Sequence, residues 1–191
     1  MSINNNLIFK RFTLGRYPIN AFVLANRDTG VGVFIDPGGF SGEIETFIDQ
    51  NKIDLKYVFF THGHWDHIEG FEDFKSRYTF ESYAPEGEVE GVDHILYGQE
   101  TLEVGHIKFN TFSNPGHTQH AISFYTPGYL FSGDALFCGS MGGTQSQVQA
   151  NMQIEAVRKN LFTLPEDTLV LSGHGPMTTV AAEKYNNPFF A

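Results

Sequence analysis

A short segment of the chain, residues 61–67, reads THGHWDH and contains three histidines and an aspartate. The i, i+2 spacing of His62 and His64 places both imidazoles on the same side of an extended loop, where they can reach one ion. Asp66 and His67, at the start of a predicted helix, point to a neighbouring position. Imidazole and carboxylate groups suit zinc, iron or manganese. The segment therefore predicts a metal site rather than a solvated histidine-rich loop.

Three more residues of metal-binding type occur further along the chain, each just after a predicted strand. His117 lies in PGHT, Asp134 in SGDA and His174 in SGHGP. Ligand-binding residues often collect where strands end, at one edge of a sheet. We therefore expect these three side chains to join the histidine-rich segment.

The elements that must position these residues follow from hydrophobic periodicity and turn signals. The predicted strands are 7–14, 20–25, 31–36, 57–61, 78–83, 100–104, 107–112, 121–125, 129–132 and 169–172. The predicted helices are 42–51, one that opens near Asp66 and turns Ile68, Phe71 and Phe74 inward, one around 154–162, and one that begins at Thr178 or Thr179. This order fits two sheets with helices outside, a four-layer α/β sandwich, although periodicity alone does not separate it from other mixed folds.

The length and the net charge of the chain limit the classes of protein to which it can belong. The chain has 191 residues, the size of one ordinary domain, and we take 1–191 as a single domain. Its net charge of −10 argues against nucleic acid and against anionic membranes as partners. No apolar run is long enough to span a bilayer, and residues 1–12 lack the features of a signal peptide. The single cysteine excludes an intramolecular disulfide. We therefore expect a cytoplasmic protein, and its oligomeric state stays open.

The motifs THGHWDH, PGHT, SGDALF and SGHGP, in this order and at these distances, resemble those of the metallo-β-lactamase superfamily. Asp36, in the segment FIDPG, matches the first motif of that family. The resemblance spans 36–176, nearly the whole chain. It implies the αββα sandwich, in agreement with the order of predicted elements.

The resemblance also implies two divalent ions per chain, with zinc as the first choice and iron or manganese left open. The ligands that it implies are His62, His64 and His117 for one ion, Asp66, His67 and His174 for the other, and Asp134 as a bridge. Asp36 would orient a ligand or the motif loop. A metal-bound hydroxide would then attack an ester-like carbonyl, and Asp66 would take up the proton of the nucleophile.

Within the superfamily, SGDALF followed by CGSMG, and the ending GHGPMTTVAAEKYNNPFF, resemble the type II glyoxalases, or hydroxyacylglutathione hydrolases. The implied reaction is hydrolysis of a small-molecule thioester such as S-lactoylglutathione by a short, single-domain member. Two positions depart from the pattern: Gly143 stands where a basic residue helps to hold glutathione, and His120 stands where glycine is usual. Both make glutathione uncertain as the carrier and leave the metal core untouched.

Other activities on this fold remain open. Lactone or other ester hydrolases share the metal motif, and persulfide dioxygenases keep the same residues but use one iron. Many true β-lactamases have a cysteine at the position of Asp134, which disfavours antibiotic hydrolysis. A non-enzymatic scaffold usually loses ligands, and this chain keeps all seven.

Several residues outside the ligand set have ordinary interpretations. We expect His94 and His106 to be surface or loop residues, and His120 to make a structural hydrogen bond rather than to line the mouth of a pocket. We expect Cys138 to be a buried, inert thiol. Trp65 is predicted to pack beneath the motif loop.

Overall fold

Within residues 6–191, which the computed structural model describes, twelve strands form two six-stranded sheets. The prediction that residues 1–12 carry no signal peptide falls partly outside these residues. The first sheet has the order β1-β2-β3-β4-β5-β6 and consists of Leu7–Leu14, Ile19–Asn26, Val31–Ile35, Asp54–Phe59, Glu81–Pro85 and His94–Leu96. The second sheet has the order β12-β11-β10-β9-β8-β7. In chain order its strands are Thr101–Val104, Ile107–Ser113, Ile122–Thr126, Tyr129–Gly133, Leu169–Ser172 and Thr178–Thr179.

Five α-helical segments join or flank these strands in the described part of the chain. They are α1 Gly42–Gln50, α2 Trp65–Ile68, α3 Phe71–Lys75, α4 Gln147–Ala156 and α5 Val180–Asn186. Helix α4 continues into a π-helical turn, Val157–Leu161. Strands β3 to β6 are parallel to one another, and so are β10 and β11. Helices lie in the crossovers from β3 to β4, from β4 to β5 and from β10 to β11, whereas only turns connect β5 to β6.

Strand β2 explains how the layers stack. Its side chains alternate between the two faces of the first sheet, as the period of a strand requires. Ala21, Val23 and Ala25 belong to the core between this sheet and α1 and α3. Phe22 and Leu24 belong to the core between the two sheets. Both faces of β2 are therefore covered, and all eight of its residues are buried.

The outer face of the second sheet has its own cluster, in which Leu130 and Val170 pack against residues of the π-helical turn and of α5. The order of layers is therefore helix, sheet, sheet, helix. This is the αββα sandwich that the sequence predicted. No helix within residues 6–191 is long and apolar enough to cross a membrane.

The structure corrects the predicted helix that opens near Asp66. It is two short helices, α2 and α3, with a break at Gly70. The amide of Gly70 donates to the carbonyl of Pro37 at 2.8 Å, and a Cβ at Gly70 would lie 2.6 Å from that oxygen. The chain must therefore pass close to the loop after β3. Phe71 and Phe74 are buried as predicted, whereas Ile68 is only half-buried.

Strand bounds differ from the prediction in several places, and the strand predicted at 57–61 lies at Asp54–Phe59. The strand predicted at 78–83 lies at Glu81–Pro85, and β6 and β12 were not predicted. Strand β3 ends at Ile35, because Asp36 has a left-handed backbone with φ of 52°. The last helix begins at Val180 with Thr179 as its N-cap, whose hydroxyl accepts from the amide of Ala182. The predicted start of that helix is therefore confirmed.

Candidate metal centre

The predicted ligands lie in loops that follow the carboxyl ends of strands. Asp36 follows β3 and the segment that begins at His62 follows β4. In the second sheet, His117 follows β8, Asp134 follows β10 and His174 follows β11. Strands β8, β10 and β11 run in the same direction. The fold thereby brings the seven predicted ligand residues to one edge of the sandwich.

Three histidines form the first group of possible ligands. The Nε2 atom of His62 lies 3.1 Å from Nδ1 of His64, and that atom lies 2.9 Å from Nε2 of His117. One nitrogen from each ring lies within 4.8 Å of the other two. His62 is buried, His117 is half-buried and His64 is exposed. The group is therefore open on the side of His64.

Asp66, His67 and His174 form the second group, again with ligand atoms within 4.8 Å of one another. The Nε2 atom of His174 lies 3.3 Å from Oδ2 of Asp66. Asp134 lies between the groups: its Oδ2 is 3.3 Å from Nε2 of His117 and 3.7 Å from Nε2 of His174. The carboxylate of Asp134 therefore contacts both groups.

Hydrogen bonds at the outer ring nitrogens determine which nitrogen faces the centre. The Nδ1 atom of His117 lies 2.7 Å from the carbonyl oxygen of Gly143, and Nδ1 of His174 lies 2.9 Å from that of Pro18. A carbonyl oxygen only accepts, so both Nδ1 atoms carry the proton and donate it. The lone pair on Nε2 then points into the centre, as a metal ligand requires.

Asp36 fixes the motif loop and His67. Its carboxylate accepts from the amide and the hydroxyl of Thr61, each at 2.7 Å, and lies 3.0 Å from Nδ1 of His67. The hydroxyl of Thr61 is also 3.1 Å from Nδ1 of His62. The left-handed backbone of Asp36 costs about 1–3 kcal/mol, which these contacts offset.

Two buried polar atoms, one from His67 and one from Asp134, indicate whether the predicted ligands fit a cation. Within residues 6–191, Nε2 of His67 and Oδ1 of Asp134 have no hydrogen-bond partner, and the two atoms lie 3.4 Å apart. This distance exceeds that of a charge-assisted hydrogen bond, about 2.7–2.9 Å. A divalent cation between them would satisfy both atoms, so the donor set fits a metal. A Cβ at Gly173 would lie 2.3 Å from Oδ1 of Asp134 and 2.6 Å from Cε1 of His67. Only glycine fits that position.

The protonation states also suit a metal. Burial, and then the neighbouring His67, lowers the pKa of His62 well below its ordinary value. Burial and then His117 lower the pKa of His64. Burial raises the pKa of Asp134, but its contacts with His67 and the other histidines outweigh this and hold the pKa well below its usual range. These three groups are thus in the protonation state that binds a cation.

His67 differs from the other histidines. Burial lowers its pKa, but Asp36 and Asp134 raise it to about 10. The same two carboxylates that favour a proton on this ring would favour a divalent cation at Nε2. A metal that binds there would therefore displace the proton from the ring.

Two residues that position the site were not predicted. The Glu88 carboxylate accepts from the amide of Gly63 at 3.0 Å and from that of His120 at 3.0 Å, so it ties two ligand loops together. The buried Gln153 amide donates to the carbonyls of Asp134 at 3.2 Å and of Ala135 at 3.1 Å. Neither residue lies in a motif. The only signal for Glu88 in the sequence is its place shortly after a strand.

The structure corrects two expectations about single residues. Trp65 is exposed, because it opens helix α2 two positions before the buried His67, and side chains two positions apart on a helix point to opposite sides. Cys138 is exposed on the turn closed by Phe137 and Ser140, rather than buried.

Three histidines lie outside the ligand groups. His94, on β6, and His106, in the turn after β7, are exposed, as predicted. The ring of His120 lies against a pocket, with Nδ1 3.9 Å from Oε2 of Glu86, and makes no hydrogen bond to any described residue, whereas its backbone amide donates to Glu88. The alternative that it lines the mouth of a pocket is therefore the one the geometry favours.

That pocket measures about 550 Å³ and opens beside the first group of ligands. Its wall includes His64, His117, Glu86, Glu88, Gln145 and Gln149. A larger cavity of about 720 Å³, lined by Glu100, Met152 and Lys159 among others, contains none of the predicted ligands. Of these two, only the smaller pocket adjoins predicted ligands, His64 and His117.

Comparison with known proteins agrees with this geometry. The family model of the metallo-beta-lactamase superfamily matches residues 14–92. A protein named probable metallo-hydrolase YqgX from Bacillus subtilis is 30% identical over 206 residues, which cover 95% of this chain and 96% of that protein. A hydroxyacylglutathione hydrolase from Serratia proteamaculans is 32% identical over 161 residues, which cover 81% of this chain and 61% of that enzyme. This chain thus matches about three fifths of the length of that enzyme.

Two solved structures are also similar over nearly the whole chain. One, the BLEG-1 B3 metallo-beta-lactamase, has a TM-score of 0.88 and 29% identity, and the match covers 96% of this chain and 99% of that one. The other, ETHE1 from Myxococcus xanthus, has a TM-score of 0.85 and 26% identity, with 95% and 83% covered. The full-length match to the metallo-hydrolase, the family model and the αββα fold agree: this chain belongs to the metallo-β-lactamase superfamily, as a glyoxalase II-like member.

Proposed function

We propose that the chain is a hydrolase that depends on two divalent ions, with zinc as the first choice, and cleaves small-molecule thioesters such as S-lactoylglutathione. The observation that carries this proposal is the convergence of two three-residue groups, with the Asp134 carboxylate in contact with both. The ligands we assign are His62, His64 and His117 for one ion, Asp66, His67 and His174 for the other, and Asp134 between them. The similarity to hydroxyacylglutathione hydrolases supports the choice of thioesters.

Ions at these positions would supply Lewis acidity and lower the pKa of a coordinated water towards neutrality. The chain supplies the remaining functions. Hydrogen bonds at the outer ring nitrogens hold four histidine rings, those of His62, His67, His117 and His174. The nitrogens that would bind metal therefore keep fixed directions, which limits reorganisation during the reaction. The half-buried Asp66 carboxylate belongs to the second group and is placed to accept a proton from the attacking water.

The proposed reaction needs no protein nucleophile and no general acid for the leaving group. Cys138 lies in neither group of ligand atoms. A thiol has a pKa of about 8.5, so it leaves readily as a thiolate, whereas an amide nitrogen must be protonated before it leaves. The site therefore favours thioesters over β-lactams.

A substrate panel with metal-replete protein tests this function. It contains S-lactoylglutathione, a neutral acyl thioester, a homoserine lactone, nitrocefin, and glutathione persulfide with oxygen. We expect turnover of the thioesters to be the fastest in the panel. Nitrocefin turnover equal to thioester turnover would favour β-lactam hydrolysis, the activity for which the similar B3 metallo-beta-lactamase is named. Oxygen consumption with the persulfide would favour a dioxygenase.

A further inference from the structure

Two large aromatic side chains stand exposed beside the metal centre. Tyr17, in the turn between β1 and β2, is 55% exposed, and Trp65, the first residue of α2, is 51% exposed. Their ring centroids lie 5.5 Å apart in a T-shaped arrangement with an interplanar angle of 82°. Contiguous apolar surface of this kind commonly marks a site of interaction.

The backbone fixes both rings relative to the second group of ligands. Trp65 lies directly between His64 and Asp66 in the chain. Next to Tyr17, the carbonyl of Pro18 accepts from Nδ1 of His174 at 2.9 Å. Ile19 also pairs with His174 in an isolated β-bridge. The aromatic pair therefore sits on the side of the centre that Asp66 and His174 occupy.

The other side of the centre has a different character. There the pocket beside His64 and His117 has a wall of carboxylates and amides, from Glu86, Glu88, Gln145 and Gln149. A thioester also has two sides, a thiol carrier that is commonly polar and an acyl group that varies in size and polarity. The polar wall, which contains two carboxylates, suits a polar carrier that is not an anion, and the aromatic pair suits an apolar acyl group.

We propose that Tyr17 and Trp65 form the subsite for the acyl group and that this subsite selects aryl and longer alkyl acyl groups over acetyl. The proposal rests on the thioester hydrolase activity proposed above and names its class of substrate. A substrate ring or chain that packs against the T-shaped pair buries apolar surface from both partners. The position beside the second group of ligands would put the carbonyl carbon of such a substrate at the metal centre.

The kinetic test compares the acetyl and phenylacetyl thioesters of N-acetylcysteamine, which share one neutral leaving thiol. The measured quantity is the ratio of kcat/KM for the phenylacetyl ester to that for the acetyl ester. We expect Tyr17→Ala to lower this ratio by about 2- to 13-fold, the value of one aromatic contact. The matched control is Tyr97→Ala, since Tyr97 is 61% exposed and lies outside the site. It should leave the ratio unchanged.

Trp65 is the only tryptophan in the chain, so emission excited at 295 nm reports on this subsite alone. Metal-replete protein is titrated with the unreactive ketones in which a methylene replaces the sulfur of each thioester. We expect the phenylacetyl ketone to change the emission at lower concentration than the acetyl ketone, and Tyr17→Ala to remove that difference. Trp65→Phe should retain more of the kinetic ratio than Trp65→Ala, with metal content measured in both variants because ligands flank the position.

An unchanged ratio in Tyr17→Ala, together with equal binding of the two ketones, would overturn the subsite. Emission that depends on protein concentration without ligand would also overturn it, because a second copy of the chain would then cover the pair. If no thioester is hydrolysed but the phenylacetyl ketone still binds more tightly, the proposed activity fails and the subsite stands. If thioesters are hydrolysed with no preference that Tyr17 controls, the activity stands and the subsite fails.

Discussion

Asp134 is the residue on which the centre depends most, because its carboxylate contacts ligand atoms of both groups. We expect Asp134→Ala to abolish thioester turnover and to lose at least one ion per chain. Elemental analysis and a turnover assay on the same preparation measure both effects. The exposed Cys138 provides the comparison. Cys138→Ser should keep its metal and an activity within a few-fold of the wild type, and loss of metal in that variant would refute the ligand assignment.

Glu88 acts through the loops that it joins rather than through the substrate carbonyl. Glu88→Ala leaves the amides of Gly63 and His120 without their acceptor. We expect it to lower the free energy of unfolding by about 1–3 kcal/mol, and to weaken metal binding because Gly63 separates two ligand histidines. Thermal unfolding with and without metal measures this. The nearby Glu90→Ala, at an exposed position, should change neither quantity by a comparable amount.

At the scale of elements, the carboxylate of Glu100 holds the connection between β6 and β7 in place. Glu100, before β7, accepts from the amides of Tyr97 at 2.8 Å, Gly98 at 2.9 Å and Gln99 at 3.0 Å, and from the hydroxyl of Thr111 at 2.6 Å. Burial raises the pKa of Glu100, but these donors outweigh burial and lower the pKa below its ordinary value. The carboxylate thus stabilises the connection between β6 and β7 only while it is ionised.

This lowered pKa predicts a pH dependence of stability. Because the folded pKa lies below the unfolded value of about 4.3, the contribution is fully present above that value and is lost as the pH falls through the folded pKa. We expect urea unfolding of metal-free protein to show a steeper loss of stability below about pH 4 in the wild type than in Glu100→Gln. Equal slopes in the two proteins would contradict this account.

The sequence predicts those elements whose signals are local. Strand β2 reads as a strand from its own apolar residues, and the ligand loops are recognisable because each motif is contiguous. The break between α2 and α3 could not be predicted, because it depends on the approach of Gly70 to Pro37, far away in the chain. Strands β6 and β12 have only three and two residues, too few for a periodic pattern.

The residues of the candidate site also fall into those that the sequence predicts and those that it does not. The residues that the motifs contain lie where the predicted strands end, and they converge in space. The residues that support them, Glu88 and Gln153, act through backbone groups of distant segments and leave no pattern in the sequence. The exposure of Trp65 depends on where α2 begins and on which of its faces is buried, and the four residues of that helix are too few for a periodic pattern.

At the scale of the whole molecule, charge bears on the carrier of the acyl group. The chain has a net charge of −10, and two divalent ions would offset only four of these charges. Thioesters of glutathione are net anions, so long-range steering is unfavourable. The pocket wall beside the centre also contains carboxylates and no lysine or arginine among the described residues. S-lactoylglutathione should therefore bind weakly.

Gly143→Arg tests this expectation. A side chain there would meet no atom within 4 Å of its Cβ, and the backbone is not left-handed, so the substitution fits. A charge contact of about 1 kcal/mol or more should lower KM for S-lactoylglutathione about 5- to 30-fold with little change in kcat. A neutral acyl thioester serves as the control substrate. Equal effects on both substrates, or tight binding by the wild type, would show that other contacts hold glutathione.

We propose that two divalent ions at the seven-residue centre make the chain a thioester hydrolase. The most direct measurement is a titration of metal-free protein with Zn²⁺ during which hydrolysis of a neutral acyl thioester is followed. We expect activity to rise from zero and to reach its plateau at about two equivalents per chain, as for a two-metal site. Full activity at one equivalent, or no activity at any stoichiometry, would contradict it.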